Sequence, residues 1–159
     1  MPDNKLVLVL DSNKDMSSLV ANTALPQVRF DQVDLGNIGG CEVANIKILL
    51  PPGYREEDKI GFPALVHVSG DPGGQSVSSQ WRLDWASYMS SKLGYVVITM
   101  DVSGTGYQGD SCRKSVYRRL GSLETKDILN VIRLVLVSRE SNYIIAIVRT
   151  FSCQAVKTP

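Results

Sequence analysis

Glycine, proline and polar residues cut the chain into short apolar runs of strand or helix length. Residues 6–10 read as a strand, and residues 13–22 as a polar stretch compatible with a helix. Residues 28–35 and 43–50 alternate in part, Val28 with Phe30 and Ile46 with Ile48 and Leu50. That pattern predicts two antiparallel strands wet on one face, turning through residues 36–40. Pro51-Pro52-Gly53 stops the ladder, because proline has no N–H to donate, and a charged, exposed loop follows over residues 55–59.

From Phe62 onward the texture changes. Residues 62–68 and 95–101 are continuous apolar runs, the mark of strands buried on both faces of a parallel sheet. Between them Val77, Trp81, Trp85, Tyr88 and Met89 fall on one helical stripe that ends at Gly94, which places both tryptophans in the core. Ser122 is a candidate cap for a further helix with Glu124 and Asp127 near its start and an apolar face of Ile128, Val131, Ile132, Val135 and Leu136. Residues 143–148 then read as another buried strand. Antiparallel strands leading into alternating strands and helices predict an α/β fold with a mixed sheet.

The 159 residues suit one domain, and 43% hydrophobic residues exclude a disordered or collagenous chain. Seventeen Lys and Arg against 16 Asp and Glu leave a formal net charge of +1, so nucleic acid is not an expected partner. The apolar runs fall far short of the roughly 18 residues of a membrane helix, and Asp11 interrupts the first before a signal-peptide core is complete. Cys41, Cys112 and Cys153 are too few and too scattered for a disulfide framework or a metal site and are expected as free thiols.

Gly104-Thr105-Gly106-Tyr107-Gln108-Gly109 matches G-x-G-x-x-G after a predicted strand. Dinucleotide binding needs a packed helix next and an acidic residue at the end of the following strand. Asp110-Ser111-Cys112-Arg113-Lys114 is too polar for such a helix, so the glycines are expected to form a structural turn and no cofactor is expected. His67 is the only histidine and sits mid-strand, which favours a packed, hydrogen-bonded imidazole over a catalytic base or a metal ligand. Arg118 and Arg119 beside Tyr117 are expected in a solvated loop or an ion pair, with an anion clamp as the alternative.

Five motifs in order carry a family likeness: Leu49-Leu50-Pro51-Pro52-Gly53-Tyr54; Phe62-Pro63-Ala64-Leu65-Val66-His67-Val68; Trp81-Arg82-Leu83-Asp84-Trp85-Ala86; Asp101-Val102-Ser103 running into the glycine motif and Asp110; and Arg118-Arg119-Leu120-Gly121. Over residues 6–147 the chain resembles the dipeptidyl peptidase IV branch of the prolyl oligopeptidase family. The resemblance implies a truncated α/β-hydrolase fold, a mixed, mostly parallel sheet with flanking helices, over residues 1–148, and a divergent tail over residues 149–159. In the family this domain joins a β-propeller on an extracellular, membrane-anchored ectodomain. Active members release N-terminal dipeptides with a Ser, Asp and His triad. With no signal or membrane segment read in this chain, its compartment stays open.

Three positions depart from that pattern. Ser69 stands where active members have a tyrosine whose hydroxyl stabilises the oxyanion, and Phe151 stands where the nucleophilic serine belongs. Ser103 also replaces an arginine of the family's turn, and neither Ser152 nor Cys153 has the flanking glycines of a nucleophile elbow. No catalytic residue is therefore assigned. The segment from Gly70 to Val77 is similar to the noncatalytic dipeptidyl aminopeptidase-like members that accompany potassium channels. The resemblance thus implies an accessory role with membrane channel subunits or a homodimer as partners, and a peptide substrate only if a longer isoform is active. A truncated product of an active peptidase gene is the alternative, and a nucleotide-binding domain a remote one. The strand at residues 144–148, mid-sheet in the family topology, is expected as an open, aggregation-prone edge here.

Overall fold

The computed structural model describes residues 6–36, 41–55, 57, 61–69, 71–137 and 143–150, with the backbone alone for 136–137 and 143–150. In chain order it holds α1 (Lys14–Ala21), β1 (Gln27–Asp34), β2 (Val43–Leu50), β3 (Phe62–Val68), α2 (Trp85–Leu93), β4 (Val96–Asp101), α3 (Asp110–Lys114), α4 (Leu123–Val137) and β5 (Tyr143–Thr150). The five strands form one sheet in the order β1-β2-β4-β3-β5. β1 runs antiparallel to β2 and β2 to β4, whereas β3 runs parallel to both β4 and β5. The mixed α/β sheet is as the sequence predicts.

Both faces of the central strands are covered, and their side chains divide by the two-residue period of a strand. Ile46, Ile48, Val66, Ile98 and Met100 face one side with Val131 of α4, and Ile128, Ile132 and Val135 pack against them. Leu49, Leu65 and Val97 face the other side, against Ala86 and Met89 of α2. Each large aliphatic side chain so buried contributes about 1.5–3 kcal/mol. The continuous apolar runs of β3 and β4 are needed because both of their faces are interior.

The N-terminal run is not a strand. Leu6, Val7 and Leu10 are exposed to solvent, and β1, the sheet's outer strand on that side, pairs with β2 alone among the described residues. Without a partner ladder, apolar content does not make a strand. The turn expected at residues 36–40 lies outside the described residues beyond Gly36, as do most of the charged loop and Cys153.

The helix expected from Val77 begins only at Trp85. Asp84 is its N-cap, its carboxylate accepting the N–H groups of Ala86 at 3.0 Å and Ser87 at 3.3 Å, and Gly94 closes it at φ 71°. The tryptophans are accordingly not core: Trp81 is 63% exposed and Trp85 44%. What α2 buries is Ser87 and Ser90, small residues that let the helix approach the sheet closely.

The cysteines correct a further expectation. Cys41 and Cys112 form a disulfide across 71 residues, with Cα atoms 4.4 Å apart. Cys41 precedes β2 and Cys112 is the buried residue of α3; antiparallel pairing sets the start of β2 beside the end of β4, from which the chain runs on to α3. No local spacing announces a pairing made by topology.

Candidate functional site

The loops that follow β3 and β4 gather at the carboxyl ends of these parallel strands, where open α/β sheets place their ligands. Ser69 follows β3 directly and is half-buried. Two backbone hydrogen bonds fasten its loop to the glycine turn after β4: Gly73 N–H donates to the Gly104 carbonyl at 2.8 Å, and Gly106 N–H to the Gly74 carbonyl at 2.9 Å. A Cβ on Gly106 would overlap the Gly73 carbonyl oxygen, and one on Gly104, at φ 93°, would stand 2.8 Å from a Val116 methyl. The glycine motif is thus used for close backbone approach and left-handed geometry. Its last glycine does open a helix, contrary to expectation, but α3 has only five residues and buries Cys112 alone.

Asp101, the last residue of β4, completes the clamp. Its carboxylate accepts Ser76 N–H at 2.9 Å and Val77 N–H at 2.9 Å, pinning the far end of the β3 loop. Burial pushes the carboxyl above its ordinary value, and the bonds from Val77 and Ser76 pull against that rise. Sequence reasoning missed this role; a lone acid ending a buried strand was the available signal. Gln108 reaches the Asp101 carbonyl at 3.4 Å from the other side of the turn. The Thr105 hydroxyl donates to the Val102 carbonyl at 2.7 Å, whereas Ser103 Oγ is buried with no hydrogen-bond partner.

His67 does not reach this loop cluster as part of a triad. It is half-buried on β3, its ring edge-on to Trp85 with centroids 6.4 Å apart. Arg118 lies over the exposed Tyr117 ring at 5.3 Å, as befits a surface loop. Among the described residues no three His, Cys, Asp or Glu side chains converge on a metal position. Asp127, expected near the start of α4 as a helix-dipole partner, is wholly buried with neither carboxylate oxygen hydrogen-bonded. An open cleft of about 600 Å³ adjoins the clamp, lined by Phe30, Gln32, Asn45, Gln75 and Ser78 among others. Phe151 lies outside the described residues; the register ends with Val68 beside Thr150.

A mixed sheet with helices on both faces and its loops clamped at the parallel strands' carboxyl ends defines an α/β-hydrolase-type domain. Dipeptidyl peptidase 4 of Porphyromonas gingivalis superposes on 76% of this chain with a TM-score of 0.64 at 25% identity. Acylaminoacyl peptidase of Pyrococcus horikoshii matches the fold over 85% of it, at 0.62 and 19% identity. Within that class the chain belongs to the prolyl oligopeptidase family, whose profile its residues 81–144 match. It is 35% identical over 127 residues to mouse prolyl endopeptidase FAP, 80% of this chain, and 36% identical over 151 residues to dipeptidyl peptidase 4 of Trichophyton rubrum, 87% of it. The chain spans only 16% and 19% of the lengths of these two relatives.

Proposed function

We propose that this chain is a noncatalytic member of the family, acting through binding as an accessory to a membrane channel subunit, and that it hydrolyses no peptide bond. The observation that carries the reading is Ser69, directly after β3. A serine hydroxyl ends several ångströms short of where a tyrosine hydroxyl would meet an oxyanion, and losing one such donor costs about 10²–10³ in kcat. Phe151, at the nucleophile position by resemblance, has no group to attack a carbonyl or pass a proton to a base. Together they remove both the nucleophile and one stabiliser of the tetrahedral intermediate. The test is release of chromophore from a Gly-Pro amide together with labelling by a serine-directed fluorophosphonate. The reading expects neither. Turnover above the buffer rate that Ser152→Ala abolishes overturns it.

A further inference from the structure

The cleft beside the Asp101 clamp has the build of a ligand site, and from its chemistry we infer that it takes a neutral saccharide. Its floor is one row of side chains across three strands. Gln32 of β1 stands opposite Asn45 of β2, and Asn45 opposite Asp101 of β4, so all three share the sheet face on which Leu49 and Val97 meet α2. Phe30, two residues before Gln32, lies on the same face and supplies a half-exposed apolar wall. The other wall is the loop after β3. The Asp101 carboxylate holds the N–H groups of Ser76 and Val77, each at 2.9 Å, and so sets Gln75 and Ser78 along the cleft. Floor and loop are thus fixed to each other before any ligand arrives, which lowers the ordering cost of binding. The volume, about 600 Å³, is that of a small-ligand site, for which about 300–1,000 Å³ is usual.

The polar groups of the cleft are uncharged and in part uncommitted. Gln32 Nε2 donates to Asn45 Oδ1 at 3.0 Å, which orients both carboxamides and leaves the Asn45 amino group and the Gln32 oxygen to a ligand. Gln75 and Ser78 make no side-chain hydrogen bond among the described residues. A carboxamide carries a donor and an acceptor side by side, and adjacent sugar hydroxyls each donate and accept, so the two match pairwise, while Phe30 meets the C–H face of the sugar ring. Other ligand classes fit less well. Asp31 alone among the described lining residues is ionisable, and Lys47, laid over the Phe30 ring 6.0 Å from its centroid, is not among them, so no lining cation neutralises a phosphate or carboxylate. A wholly apolar ligand would strip water from these amides and hydroxyls without replacing their hydrogen bonds. An extended peptide pairs through backbone groups at a sheet edge, whereas this floor is a sheet face whose strand β2 is already bonded on both sides. The site uses neither Ser69 nor Phe151, so it stands apart from the question of peptide hydrolysis.

Titration of the full chain with lactose, maltose and chitobiose, followed by nuclear magnetic resonance of backbone and side-chain amides, tests the inference. At least one of these neutral disaccharides should bind in the millimolar range, as suits an open cleft, and shift the side-chain resonances of Gln32, Asn45 and Gln75. Gln32→Ala and Gln75→Ala, both at exposed positions, should each weaken that binding about 3–10-fold through loss of a neutral hydrogen bond, with the melting temperature unchanged. Tyr117→Ala, at an exposed aromatic outside the cleft, should leave it as it was. Sialyllactose, which adds a carboxylate to lactose, should bind no tighter than lactose. Silence from all three disaccharides up to their solubility, shifts that survive both glutamine substitutions, or tighter binding of the acidic sugar or of ATP overturns the inference.

Discussion

The Asp101 carboxylate holds the Val77 N–H at 2.9 Å, and this contact fastens the loop after β3 to the end of β4. The same oxygens also take the Ser76 N–H, so one buried acid satisfies two loop donors that would otherwise lie unpaired. Any binding surface built on that loop inherits its shape from this clamp.

Asp101→Asn is expected to destabilise the domain by about 1–3 kcal/mol, since the amide nitrogen cannot accept an N–H as either carboxyl oxygen can and faces the Ser76 and Val77 donors. The pH dependence has a definite sign. The folded-state pKa is raised by burial, so the stability Asp101 contributes is complete below the unfolded value of 3.8 and declines as pH rises through the raised value. The gap between wild type and variant should narrow over that window. Urea unfolding of both proteins at a series of pH values measures it, and a gap that widens with pH would contradict the assignment.

Gly106→Ala should lower stability by about 1–3 kcal/mol, because its Cβ meets backbone rather than a side chain that can swing away. Gly94→Ala has open space and only the cost of a positive φ to bear, so it should be the milder change. Melting temperatures of the two variants give the comparison. If Gly106→Ala melts with wild type, the loops are not held as described.

Removing the Cys41–Cys112 link by Cys41→Ala with Cys112→Ala should cost roughly 2–4 kcal/mol, the usual effect of releasing a long cross-linked loop. Native protein should resist alkylation at both positions until a reductant is added. Peptide mapping after maleimide treatment with and without reductant decides this, and ready labelling of Cys112 without reductant would refute the pairing.

Asp84→Ala should destabilise by about 1 kcal/mol through loss of the α2 cap. Asp84→Ser retains an acceptor and should recover most of it. The two denaturation midpoints separate capping from the general effect of charge removal.

Of the fold, the sequence by itself determined the parts with short-range causes. The apolar runs of β3 and β4 and the Pro-Pro-Gly stop after β2 were legible because burial on both faces and a missing N–H act locally. So was the buried stripe of α4 around Val131, since helical period alone places it. Five ordered motifs likewise sufficed for the family. Tertiary structure decided what depends on partners distant in the chain. Residues 6–10 have strand composition but no ladder to join, and Trp81 and Trp85 have helical spacing that the Asp84 cap and the Asp101–Val77 bond cut short. Cys41 and Cys112 carry no mutual signal across 71 residues, because only the return of β2 beside β4 brings their Cα atoms within bonding reach. Periodicity reports which face of an element is apolar; whether a sheet, a helix or solvent meets that face is settled by chain topology.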